Sequence, residues 1–104
     1  MKRFLISYSR EKATEGEWHA RVGEFIRAIE SDADLKGKIL YTVMRAKDGT
    51  SYYHLAEVLD DQAGEILQTR EFFKAYTAAT KKTSGDNVVV TPIDVVAATS
   101  RPAT

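Results

Sequence analysis

Near the N-terminus, "KRFLISYS" alternates Phe4, Ile6 and Tyr8 with Arg3, Leu5 and Ser7. That period of two predicts a strand, and apolar residues in both sets predict a strand central in its sheet. From Thr14 the period lengthens. Trp18, Val22, Phe25, Ile26 and Ile29 fall at i, i+4, i+7, i+8 and i+11, one stripe of an amphipathic helix. Thr14 has the chemistry of an N-cap, and Glu17 three residues later completes a capping box while favouring the positive end of the helix dipole. "SDADLKGK", with Gly37, carries the stop signals.

The period returns to two in "ILYTVMRAKDGTSYYHLAEVL", where two β-prone runs flank Asp48-Gly49. That dipeptide predicts a hairpin closed by a two-residue type I′ turn, with both residues at positive φ. The turn sets the register: Lys47 opposite Thr50, Met44 opposite Tyr53, Val43 opposite His54, Leu40 opposite Glu57. Side chains then divide between two faces. One holds Leu40, Thr42, Met44, Ala46, Tyr53, Leu55, Glu57 and Leu59; the other holds Ile39, Tyr41, Val43, Arg45, Tyr52, His54, Ala56 and Val58.

"DDQAGEILQTREFFKAYTAATKKTSG" is helical again. Phe72, Phe73, Tyr76 and Ala79 form its stripe, Ile66 and Leu67 belong to a separate first segment, and a bend is expected near Gly64 and Thr69-Arg70. Lys81 and Lys82 suit its C-terminal end, which Gly85 can close. "DNVVVTPIDVVAATS" reads as a long final strand, and Pro92 places it at an edge, at a bulge or at a change of partner.

Strand, helix, strand, strand, helix, strand is the split βαβ order, an α+β ferredoxin-like βαββαβ fold with both helices on one face of a four-stranded antiparallel sheet. The expected domain spans 1–99, with 100–104 a flexible tail. Both hairpin faces are apolar, so the face without helices needs a cover. The cover expected is a second copy of the chain, packed sheet to sheet with the last strand crossing over, which makes a homodimer.

Composition narrows the function classes. Lys and Arg total 15 and Asp and Glu total 15, so a nucleic-acid binder working through a basic surface is not expected. There is no cysteine, which excludes disulfides and thiolate ligands from this chain. No apolar run is long enough to span a membrane, and the basic start precedes too short an apolar stretch for a signal peptide, so the expected location is cytoplasmic. Neither a Gly-rich phosphate loop, a nucleophile elbow nor a zinc motif is present, and two histidines on different elements make no metal site.

"YHLAEVLDDQAGEILQTREFFKAYTAA", followed by "VVVTPIDVVAA", resembles the antibiotic biosynthesis monooxygenase-like group of the dimeric α+β barrel proteins. In that group a strand ends in a Glu-x-Trp-like pattern, then come an acidic turn, a short helix and a Ser-x-His-Phe-like helix start. Here the corresponding residues are Glu57-Val58-Leu59, Asp60-Asp61 and Thr69-Arg70-Glu71-Phe72-Phe73. Leu59 stands at the Trp-like position, and Glu71 or Phe72 where histidine is common. Asn87 and Trp18 are the chain's only Asn and Trp and lie on other elements, so the haem-degrading activity of some members is not expected.

The resemblance implies a dimeric α+β barrel and a cofactor-independent monooxygenase acting on an aromatic small molecule, in a pocket between sheet and helices. The alternative is a non-catalytic dimeric ligand-binding, structural or stress-related protein. Residues three apart on a strand face opposite ways, so His54 and Glu57 cannot work as a pair. The resemblance puts the Glu57 face in the barrel interior. Glu57, desolvated among Leu40, Met44, Tyr53 and Leu55, is then the candidate general base or acid, unless an Arg or Lys of this chain or of the other subunit pairs with it. Tyr53 is the second candidate catalytic residue. Met44, Leu40, Leu55, Leu59 and His19 are the candidate substrate-binding set. His54 is expected to be a packed histidine on the helix side.

Overall fold

A computed structural model describes residues 1–100. The tail expected at 100–104 lies, apart from Ser100, outside the described residues. The elements run β1 (Lys2–Ser9), α1 (Glu15–Glu30), β2 (Ile39–Arg45), β3 (Ser51–Val58), α2 (Asp61–Thr69), α3 (Glu71–Ser84) and β4 (Val89–Ile93). They build one antiparallel sheet in the order β2-β3-β1-β4, the ferredoxin-like βαββαβ arrangement. β1 is central, as its two-sided apolar pattern requires.

Local chemistry explains where the elements stop and start. Thr14 and Glu17 form the reciprocal capping box at the head of α1. α1 ends at Ser31, before Gly37, whose positive φ serves the turn into β2. The second helical region breaks at Arg70, extended at φ −74°, ψ 133°, into α2 and α3. Gly64 makes no bend. It lies inside α2, where a Cβ would come within 2.9 Å of Val58 Cγ1, so glycine there lets α2 rest on β3. Gly85 closes α3 in the left-handed region.

The hairpin keeps the expected register, with Leu40 opposite Glu57, Val43 opposite His54 and Met44 opposite Tyr53. Its turn differs. Only Gly49 has positive φ, and Ala46 N–H bonds Ser51 O across a four-residue loop. The Asp48 carboxylate accepts from Thr50 N, Ser51 N and Ser51 Oγ at 2.8, 2.9 and 2.6 Å. That local network holds Asp48 out of the left-handed region a type I′ turn needs. The final strand is also shorter than expected. β4 stops at Ile93, opposite Arg3, where β1 is running out, and 94–100 have no regular structure. Pro92 sits on this edge strand, where a missing N–H is tolerated.

The core lies between the sheet and the helices. Trp18, Val22, Phe25 and Ile29 of α1 meet Tyr8, Ile39, Tyr52 and Val58 of the sheet and Tyr76 of α3. The Tyr76 ring stacks on Phe25 at 3.9 Å and on Trp18 at 5.9 Å. Thr83 is buried because its carbonyl and hydroxyl accept from Glu11, Lys12 and Ala13, which ties the end of α3 to the loop after β1. The opposite face of the sheet has no helix. Leu40, Met44, Tyr53 and Leu59 there are 43%, 42%, 42% and 39% exposed.

Candidate functional site

A cavity of about 390 Å³ opens between the helix-facing side of the sheet and helices α2 and α3. Its walls are apolar and come from every strand: Phe4 and Ile6, Ile39, Ala56, Val58 and Val90, closed by Leu67 and Phe73. Gly64 contributes to the room under α2. Lys2, Asp61, Glu65 and Lys81 add charge among the lining residues. Gln68, Thr77 and Thr80 add polar groups from the helices, and Tyr41 and His54 of the sheet meet Tyr76 of α3 at one place.

His54 is fully buried at the centre of that cluster. Its Nε2 lies 2.8 Å from Tyr8 Oη, and its Nδ1 lies 2.7 Å from Tyr41 Oη and 3.3 Å from Tyr76 Oη. Behind it, the Trp18 indole N–H donates to Tyr8 Oη at 2.6 Å. Strand alternation puts Tyr8, Tyr41 and His54 on one face, and the helical stripes bring Trp18 and Tyr76 down onto them. Burial lowers the His54 pKa from its ordinary 6.5 to about 4, so the imidazole is neutral at pH 7. Burial pushes the Tyr8, Tyr41 and Tyr76 hydroxyls well up, so they stay protonated. The cluster around His54 is uncharged, and its chemistry is hydrogen bonding.

The residues expected to form the site lie elsewhere. Glu57, Tyr53, Leu40, Met44, Leu55 and Leu59 share the open side of the sheet, and none of them lines the cavity. Strand alternation is the reason: a pocket between sheet and helices takes the other set. Glu57 meets a basic partner in its own chain, because Arg3 stands opposite it on β1 and Arg3 Nε donates to Oε2 at 3.0 Å. His19 is exposed on α1 and hydrogen-bonds Tyr52 Oη at 2.8 Å rather than reaching the cavity. His54 sits packed on the helix side as expected, but it also belongs to the cavity wall. The signal that could have found it is the coincidence of Tyr8, Tyr41 and His54 on one face of neighbouring strands. Among the described residues no cluster of histidine and carboxylate side chains could hold a metal ion. No described helix is long and apolar enough to cross a membrane.

Solved structures share the fold. One is an antibiotic biosynthesis monooxygenase, 13% identical, with a TM-score of 0.73 over 93% of this chain and 100% of the other. SnoaB, a cofactor-independent oxygenase from Streptomyces nogalater, is 13% identical with a TM-score of 0.68 over 98% of each chain. A protein of Mycobacterium tuberculosis is 12% identical with a TM-score of 0.73 over 95% of this chain and 98% of the other. No protein-family model matches the sequence, and comparison with curated proteins returns no match. The fold is therefore that of the antibiotic biosynthesis monooxygenase-like structures, as residues 53–79 and 88–98 suggested.

Proposed function

We propose that the chain is a cofactor-independent monooxygenase-like enzyme for a flat aromatic small molecule, bound in the cavity between the sheet and α2 and α3. The observation that carries this reading is the cavity itself: about 390 Å³, walled by apolar side chains, with one uncharged cluster of hydrogen-bonding groups. SnoaB, which has the same fold, is a cofactor-independent oxygenase and supports the class of chemistry. Oxidation of an aromatic methylene illustrates it: CH2 plus O2 gives C=O plus water, and the substrate supplies all the electrons. The role left to the protein is to stabilise the substrate oxyanion that reacts with oxygen. Phenolic hydroxyls that stay protonated suit that role. His54 is a weak base here, so the substrate must itself ionise readily.

The open sheet face is assigned to a second copy of the chain. Leu40, Met44, Tyr53 and Leu59 form an apolar set too exposed to be left in water, and Val95 and Val96 beyond β4 are exposed as well. In that homodimer the Arg3–Glu57 pair is covered together with its partner, which avoids burying a lone charge. In the homodimer this face offers a second location for the site, a chamber between the two sheets with Glu57 and Tyr53 as its catalytic residues.

One experiment separates the two locations. Oxygen uptake is followed with anthrones and hydroquinones as substrates. The double variant Tyr41→Phe with Tyr76→Phe should lower turnover by on the order of a hundredfold, while Tyr53→Phe and Glu57→Gln leave it unchanged. The reverse pattern moves the site to the open face. No turnover, together with no shift in melting temperature across an aromatic ligand panel, overturns the enzyme reading in favour of a structural dimer.

A further inference from the structure

The cluster at the polar end of the cavity has a direction. An indole N–H can only donate, so Tyr8 Oη accepts from Trp18 Nε1 at 2.6 Å. Tyr8 is buried, and the acceptor within reach of its own proton is His54 Nε2 at 2.8 Å. Nε2 must then present a lone pair, and the neutral imidazole carries its proton on Nδ1. The opposite tautomer would aim two donors at Tyr8 Oη and strand the Tyr8 proton inside the core. So Nδ1–H points forward, to Tyr41 Oη at 2.7 Å and Tyr76 Oη at 3.3 Å.

A proton count gives the consequence. The Nδ1–H and the Tyr41 and Tyr76 hydroxyls supply three protons. The acceptors within the forward cluster are the two phenol oxygens. Nδ1–H takes one of them, and the two hydroxyls can satisfy at most one proton between themselves. At least one phenolic O–H is therefore left without an acceptor in the cluster, and both phenols line the cavity. We infer that the Trp18–Tyr8–His54 chain makes the inner end of this cavity a hydrogen-bond donor, so that its ligand places an acceptor oxygen there, a carbonyl or an oxyanion on a flat aromatic body. Trp18 and Tyr8 act as positioning residues, since they touch His54 or one another and not the ligand. This rests on the reading that the cavity binds a small molecule, and it names which chemistry that molecule presents at its buried end.

The test uses the wild-type chain first. Nitrogen NMR of 15N-labelled protein at neutral pH should show His54 protonated on Nδ1 and bare on Nε2; the opposite tautomer overturns the inference. Binding is then compared for 1-tetralone and tetralin, which share a skeleton and differ by one carbonyl. 1-Tetralone should bind about five- to tenfold tighter, the worth of one hydrogen bond to a buried donor. Equal affinities overturn this inference and leave the cavity reading standing, whereas no binding of either probe overturns both. In a folded Tyr8→Phe variant the two His54 tautomers should mix and the preference for 1-tetralone should shrink. A Tyr8→Phe protein that keeps a single Nδ1–H tautomer and the full preference removes Trp18 and Tyr8 from the account.

Discussion

His54 hydrogen-bonds three phenols and lies out of reach of solvent. A proton taken up there would gain no compensating charge, which is why its pKa falls to about 4. Between pH 6.5 and 4 the unfolded chain binds a proton at this position that the folded chain refuses, so stability must rise with pH across that window. The contribution is complete above pH 6.5 and is lost as the pH falls towards 4, amounting to about 3 kcal/mol in all. Thermal melts from pH 7 down to pH 4 should show the loss, and His54→Gln should flatten the dependence. A wild-type melting temperature that stays level from pH 6.5 to 4.5, relative to the variant, would contradict it. The same residue marks the limit of reading single side chains. The family resemblance implied the helix side for His54, while its partners Tyr8 and Tyr76 lie 46 and 22 residues away along the chain.

At the scale of elements, caps and registers are local and were legible. The Thr14–Glu17 box, the Gly85 cap, the break at Arg70 and the whole β2–β3 register follow from a few adjacent residues. The turn type was not, because the Asp48 side chain competes with the backbone for its conformation. Asp48→Ala should lower the melting temperature, and Asp48→Asn, which keeps an acceptor, should lose less; equal losses would discount the network. Gly64 makes a sharper case. Replacing it by alanine improves helix propensity by about 1 kcal/mol but drives a methyl into Val58, for which overpacking costs about 1–3 kcal/mol. Gly64→Ala should therefore destabilise the protein by about 1 kcal/mol, yet become stabilising in a Val58→Ala background. Denaturant unfolding of the four proteins of this cycle measures the sign change, and simple additivity would show that α2 does not rest on β3 through this contact.

For the whole molecule, the helices cover one face of the sheet and leave the other to Leu40, Met44, Tyr53 and Leu59. If a second copy covers that face, sedimentation equilibrium at micromolar concentration should give twice the 11.6 kDa of one chain. Leu40→Lys with Met44→Lys should return it to a single chain without loss of folded structure by circular dichroism. A wild-type mass of one chain would rule the homodimer out. The ion pair between Arg3 and Glu57 belongs to this scale too. Glu57 finds its partner within the chain, through strand pairing between residues 54 positions apart.

Periodicity determined the order of elements and the two faces of the hairpin, because alternation and helical spacing are properties of neighbouring residues. The absence of cysteine removed disulfide and thiolate chemistry in the same way. Only the tertiary structure decided which face of the sheet holds the cavity. The helices cross over one side, Gly64 lets α2 settle on β3, and the room left between them belongs to Tyr41, His54 and Tyr76 rather than to Glu57 and Tyr53. That choice depends on how separate elements pack against one another. A sheet with two apolar faces carries no local mark of which face the helices will take.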